Sequence, residues 1–154
     1  MGRWILLGLL LALPLRSWGQ TVVLSRPPVQ TYFFSCNDTV TTPQYLFAAA
    51  AFVSSVCAAS EAVTLNAVYY LSYTQTISNL RCIHGAVDAD QTWGFTVRKN
   101  GVNTALACTS LSPATDCVNL NNSVEFSTGD TLSLEHTDTS AQDGAQMRCS
   151  IDGR

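Results

Sequence analysis

Apolar and polar positions alternate along much of the second half of the chain. Trp93, Phe95 and Val97 alternate with Gly94, Thr96 and Arg98, and Asn100-Gly101 then supplies a turn. Leu106 and Cys108 share a face of the next segment. Val124 and Phe126 flank Glu125, Gly129-Asp130 turns the chain, and Leu132 and Leu134 continue with Ser133 and Glu135 outside. Met147, Cys149 and Ile151 close the chain with Arg148 and Ser150 opposite. Upstream, Val63, Leu65, Ala67 and Tyr69 alternate in the same way, and Leu80 and Cys82 follow a polar Thr-Gln-Thr link. Short runs of this period, bounded by turn residues, predict half-buried antiparallel strands. Several of them around one core predict an all-β sandwich or barrel. The expected core is Leu80, Phe95, Val97, Leu106, Val124, Phe126, Leu132, Leu134 and Met147.

Two turns carry their own physical reason. Asn100 and Gly101 tolerate the positive φ that a tight hairpin requires. Gly129 and Asp130 serve a second turn, with the Asp carboxylate placed to accept a local backbone N–H. The stretch from Tyr45 to Ala59 is ambiguous. Thr42-Pro43 reads as a helix cap followed by proline, and Ala48 to Ala51 favour helix, whereas Val53 to Val56 do not. Either one short helix near 43–59 or a strand and loop is compatible with it.

Met1 to Arg3 is a short basic start, Ile5 to Leu15 is an apolar run broken by Pro14, and Ser17 and Gly19 are small residues before Gln20. That is the pattern of a secretory signal peptide over residues 1–19. The apolar run falls well short of the roughly 20 residues needed to span a bilayer. No later segment is long and apolar enough to span, so the expected product is exported, extracellular or at the cell surface. It comprises a single domain over 20–154 with an extended N-terminal arm over 20–34. Within that arm, Pro27-Pro28 cannot donate to a sheet ladder. Thr21 to Leu24 therefore belongs either to a kinked first strand or to a segment that adds to the edge of a neighbouring copy.

The composition narrows the function. The chain has 154 residues, 47% hydrophobic and 12% charged, which suits one folded domain rather than a disordered tail. Its formal net charge is −3, and removing the leader with Arg3 and Arg16 makes it −5. Lys99 is the single lysine, so there is no basic stripe to neutralise phosphates and nucleic acid is not an expected partner. All six cysteines, Cys36, Cys57, Cys82, Cys108, Cys117 and Cys149, follow the leader, and an even count there predicts disulfides. Fifteen connectivities are open on that count. Paired C-x-x-C spacings that would hold zinc are absent, and Cys82-Ile83-His84 is a weak substitute, so no metal and no cofactor is expected.

From Thr76 onward the order of motifs carries a resemblance. Thr76-Ile77-Ser78-Asn79-Leu80-Arg81 precedes the run from Gly94 to Thr104, then Ser123-Val124-Glu125-Phe126 and Ser127 to Leu134. This resembles the compact jelly rolls of bacterial and phage surface proteins, distantly similar to tumour-necrosis-factor-like and complement globular-head domains. The resemblance covers about half of the chain and implies a jelly-roll sandwich and symmetric trimers. It also implies that the last strand lies beside Leu80–Cys82, pairing Cys82 with Cys149, which share core-facing parity. A bridge over so long a loop contributes roughly 4–5 kcal/mol by chain entropy. Set beside it are Cys108 with Cys117, closing a short loop around Ser112-Pro113, and Cys36 with Cys57.

Candidate chemistry is sparse. His84 and His136 stand among many serines without a nucleophile-elbow motif. Asp88 and Asp90 read as loop residues, Glu125 and Glu135 face solvent by parity, and Asp138 and Asp143 belong to no contiguous calcium loop. No catalytic residue is assigned. Asn37-Asp38-Thr39 and Asn121-Asn122-Ser123 match the glycosylation acceptor pattern. The expected function is a non-enzymatic structural or adhesive surface module that self-associates as a trimer or filament, with a surface glycan or protein as a further partner. The alternative is a carbohydrate-binding or hydrolytic domain built on Trp93 or Tyr45. A binding platform needs an exposed aromatic, and Trp93 shares the parity of Phe95 and Val97, which favours the first class.

Overall fold

The computed structural model describes residues 28–37, 43–48, 57–61, 67–85, 91–139 and 146–154. The leader, Thr21 to Leu24, the run 49–56, Val63, Leu65 and the acids Asp88, Asp90 and Asp143 lie outside the described residues. Ten strands are described: β1 Gln30–Asn37, β2 Gln44–Tyr45, β3 Phe47–Ala48, β4 Val68–Tyr70, β5 Gln75–His84, β6 Thr92–Lys99, β7 Val102–Leu111, β8 Asp116–Phe126, β9 Thr131–Asp138 and β10 Gln146–Gly153. They form two antiparallel sheets packed as a β-sandwich. Sheet A has the order β3-β1-β10-β5-β8, and sheet B the order β2-β9-β6-β7 with β4 also on β9.

Alternation decides which side of each strand enters the core. Trp93, Phe95 and Val97 of β6, Leu132 and Leu134 of β9 and Leu106 of β7 are all 0% exposed. Ile77, Leu80, Phe126, Met147 and Ile151 meet the same condition from sheet A, and Val124 packs half-buried against them. Along β5 the buried positions run 75, 77, then 80, 82, 84, so the phase slips by one residue. Asn79 absorbs the slip at φ 58°, a left-handed conformation that asparagine tolerates better than most residues.

Where helix and strand were both open, pairing decides. Gln44–Tyr45 pairs with β9 and Phe47–Ala48 pairs with β1, so the chain passes from sheet B to sheet A at Leu46, which is 0% exposed. No helix begins at Pro43, because two waiting strand partners outweigh a few tenths of a kcal/mol per residue of local preference. Residues 30–34 of the predicted arm belong to β1, a strand flanked on both sides by β3 and β10.

Three disulfides are present, Cys36–Cys57, Cys82–Cys149 and Cys108–Cys117, the same pairs set out from the sequence and the resemblance. Such bridges suggest an oxidising environment. Cys82 lies directly opposite Cys149 in the β5–β10 register. Cys108–Cys117 joins β7 to β8, the terminal strands of the two sheets on one side of the sandwich. On that side the Asn119 and Asn122 amides donate to the Ala107 and Ala105 carbonyls, each at 2.7 Å. Those carbonyls would otherwise invite another strand.

The two predicted turns meet. Asn100 and Gly101 adopt φ 52° and 75°, and Gly129 adopts 90°. Asn100 Nδ2 donates to Asp130 Oδ1 at 2.6 Å, and Asn100 Oδ1 accepts the Thr131 N–H at 2.8 Å. Asp130 Oδ2 accepts the Ser127 N–H at 2.7 Å and faces Lys99 Nζ at 3.0 Å. The Asn100 amide first, then the Ser127 N–H and Lys99, hold the Asp130 carboxyl down at about 2. Asn100→Ala loses three side-chain hydrogen bonds, to Asp130 and to the Thr131 N–H and hydroxyl, and must place alanine at positive φ. It is expected to lower stability by about 1–3 kcal/mol, with Asn100→Gly losing less because it accepts that φ. Urea denaturation of the oxidised protein checks both, and an Asn100→Gly loss as large as that of alanine would contradict the backbone part of the argument.

Candidate functional site

The alternation that fills the core also fixes what the outer face of sheet A presents. Register places Phe33, Ser150, Arg81 and Val118 in one row across β1, β10, β5 and β8. The adjacent row is Ser35, Arg148, Ile83 and Asp116. Phe33, Ile83 and Val118 are 52%, 55% and 52% exposed. A shallow groove of about 260 Å³ runs between Phe33 and Ile83, lined also by Arg81, Arg148, Cys149 and Ser150. Among the described residues no ion pair holds Arg81 or Arg148. They occupy diagonal positions on neighbouring strands, close enough for two like charges to repel. The result is a small apolar surface carrying two guanidiniums, with Asp116 at one end. The sequence set Arg148 and Ser150 opposite the core side of the last strand but did not bring Phe33, Arg81, Ile83 and Val118 beside them, because convergence depends on strand order.

The outer side of sheet B is different, because part of it is covered. Arg98 of β6 receives Glu61 at 3.1 Å and Glu135 at 3.3 Å, and donates to the Tyr45 hydroxyl at 2.7 Å and to the Gly101 carbonyl. Its guanidinium also lies 5.2 Å from the Tyr45 ring centre. The Tyr45 hydroxyl donates to Glu135, and Ser133 donates to Glu61. Burial first, and the Glu135 charge, raise the Tyr45 hydroxyl pKa against the opposing pull of Arg98. Glu135 is therefore half-buried rather than solvent-facing, and Ser133 is 0% exposed, because Tyr45 and Glu61 are brought over β9. Glu125 does face solvent. A cleft of about 420 Å³ opens beside this cluster, lined in part by Tyr45, Glu61, Tyr70 and Arg98. Both carboxylates address the same Arg98 nitrogen, which suits a cross-link between segments better than two groups flanking a scissile bond.

The histidines lie in the core, on the two sides of Trp93. Ring centres are 4.5 Å apart for His84 and Trp93, and 4.7 Å for Trp93 and His136. His84 Nδ1 meets the Gly85 carbonyl at 2.8 Å and Nε2 meets Ser110 Oγ at 2.5 Å. The neutral ring thus donates from Nδ1 and accepts the Ser110 hydroxyl at Nε2. This serine–histidine pair left no mark in the sequence, since its members are 26 residues apart on strands of different sheets. Ser110 is 4% and His84 7% exposed, and the third partner is a carbonyl rather than a carboxylate. The pair therefore satisfies buried polar groups, and the edge of His84 lines a shallow pocket of about 280 Å³ with Ile83, Gly85, Gln146 and Arg148. Burial lowers the pKa of His84, and lowers that of His136 to about 4.

Trp93 is buried, as its parity required, and cannot serve as a platform. The sulfurs of Cys82, Cys108 and Cys117 lie within 4.8 Å of one another, but each is bridged and carries no thiolate to offer a metal. Asn37 is half-buried at the end of β1, and Asn121 is exposed on β8. No helix of the described residues is long and apolar enough to cross a membrane. Comparison of the chain with protein-family models and with curated proteins finds no match.

The buried His136 gives a pH dependence of definite sign. Its folded pKa lies below the unfolded value, so the folded state excludes a proton that the unfolded state binds. The associated stability is complete above about pH 6.5 and is lost as pH falls through about 4. The loss is at most on the order of 3 kcal/mol, since the hydrogen bond between Nδ1 and the Gly94 carbonyl at 3.1 Å works against the effect of burial. Denaturation midpoints measured from pH 7 to 4 are expected to fall in the wild type and to flatten in His136→Gln. Equal slopes in both would show that another group titrates.

Proposed function

We propose that the protein is an exported, non-enzymatic structural or adhesive module whose copies associate head to tail through the outer face of sheet A. The observation that carries this reading is the convergence of Phe33, Ile83 and Val118 with Arg81 and Arg148 on one exposed face. Single exposed apolar residues need no explanation, but a contiguous group on register neighbours invites a partner. Aromatic residues and arginine are the types enriched at the centres of protein interfaces. Two copies meeting through the same face would confront arginine with arginine. An acidic part of a second copy is the better complement, and the chain's net charge of −3 provides the excess of carboxylates. Contacts between different surfaces propagate into rings or filaments rather than closed pairs.

Export is supported by the leader pattern and by three disulfides on one small domain. The jelly-roll reading is supported by strand order, with β1, β10, β5 and β8 in one sheet and β4, β9, β6 and β7 in the other. The non-enzymatic reading rests on where the reactive side chains go. His84, Ser110 and His136 are buried, and Glu61 and Glu135 are committed to Arg98. One observation favours the carbohydrate-binding alternative: Tyr70, 67% exposed, stands at the cleft beside Arg98 and Glu61.

Light scattering coupled to size-exclusion chromatography distinguishes these readings on the oxidised, leader-free protein. Assemblies larger than the monomer are expected as concentration rises, weakening with added salt and in Arg81→Glu/Arg148→Glu. A strictly monomeric protein at high concentration would refute the self-association. A glycan array signal abolished by Tyr70→Ala would move the function to the cleft.

A further inference from the structure

We infer that Asn121 is an acceptor for an N-linked glycan in a eukaryotic secretory pathway. The side chain belongs to Asn121-Asn122-Ser123, and the structure shows why this copy of the motif is accessible. In the β5–β8 ladder, Ser78 pairs with Ser123 and Leu80 pairs with Asn119. Leu120, Asn121 and Asn122 therefore stand opposite the single residue Asn79 and leave the ladder as a bulge. Asn119 Oδ1 holds the bulge by accepting the N–H of Asn121 at 3.2 Å and of Asn122 at 3.0 Å. Those two amides are satisfied within β8 rather than by β5, so the segment does not have to break sheet bonds to be presented.

All three residues of the motif are exposed, and Leu120 beside them is 50% exposed. β8 ends its sheet, so a bulky group at the bulge displaces no neighbouring strand of sheet A. The contrast within the chain is Asn37. It is paired with Gln146 inside the β1–β10 ladder, and its Oδ1 is enclosed. Of the two motif asparagines, Asn121 is exposed, whereas Asn37 is half-buried.

The transfer balances with a lipid-linked oligosaccharide pyrophosphate as donor. Asn121 Nδ2 forms a bond to the anomeric carbon of the first sugar. The bond from that carbon to the pyrophosphate oxygen breaks, the lipid pyrophosphate leaves, and the amide nitrogen gives up one proton. Ser123 supplies the hydroxyl that the acceptor motif requires. A glycan at this place covers exposed Leu120 and guards the terminal strand of sheet A against pairing with another chain.

The test is expression of the full chain in mammalian cells, behind its own leader or an established secretory one, with peptide mapping of the secreted protein. The peptide containing Asn121 is expected to carry a glycan that peptide-N-glycosidase removes, leaving Asp at 121. Asn121→Gln and Ser123→Ala are expected to abolish this modification, Ser123→Thr to retain it, and Asn37→Gln to leave it unchanged. Secreted protein unmodified at Asn121, or modified at Asn37 alone, would overturn the inference. Continued modification of the same peptide in Ser123→Ala would overturn it equally, by showing that the acceptor motif is not what is read.

Discussion

Each of the two sheets has one face that must leave water against the other, and the rest of the molecule follows from that. The core closes around Trp93, Phe95 and Val97 from sheet B and Phe34, Ile77, Phe126 and Met147 from sheet A. A strand has only two sides, so committing one to the core assigns every other residue outward. Polar residues drawn inside must be neutral or bonded. Gln75 donates to the Tyr32 hydroxyl at 2.6 Å, His84 takes the Ser110 hydroxyl, and His136 sits neutral against Trp93 and Phe95. The same burial that depresses the two histidines removes them from surface chemistry.

The two outer faces differ in kind. Over sheet B, Tyr45 and Glu61 meet Arg98, Glu135 and Ser133, turning outward positions into a half-buried ionic cross-link. A network of this sort is worth more than a single exposed pair, since its members are partly desolvated and share one geometry. Over the middle of sheet A, Arg81, Ile83, Phe33 and Val118 remain open to solvent. One face thus holds the chain together, and the middle of the other is left exposed.

The Cys82–Cys149 disulfide acts on strands that are already paired. Cys82 stands between Cys149 and Cys117 in the registers of β10 and β8, and Cys117 reaches across to Cys108 of β7. A small domain gains from such bridges chiefly through the unfolded chain, whose loops they shorten. Cys108–Cys117, together with the Asn119 and Asn122 amides, closes the sandwich at β7 and β8.

Much of this was written in local pattern. Period two fixed which of Phe95, Val97, Leu132, Leu134 and Met147 go inside, and Asn100-Gly101 and Gly129-Asp130 marked turns, because parity and φ are properties of a few adjacent residues. Other features depend on what lies across the sheet. The choice of strand over helix at Gln44–Ala48 rests on β9 and β1 waiting as partners. Glu135 and Ser133 looked solvent-facing until Glu61 and Tyr45 came to lie over β9. The Ser110–His84 contact, the diagonal placement of Arg81 and Arg148, and the exposure of Asn121 against the half-burial of Asn37 are also tertiary. The sequence determined the side of the strand on which each residue stands, since that repeats every two residues. Only the folded chain decided which residues stand together, since strand order and register are settled by packing between segments far apart.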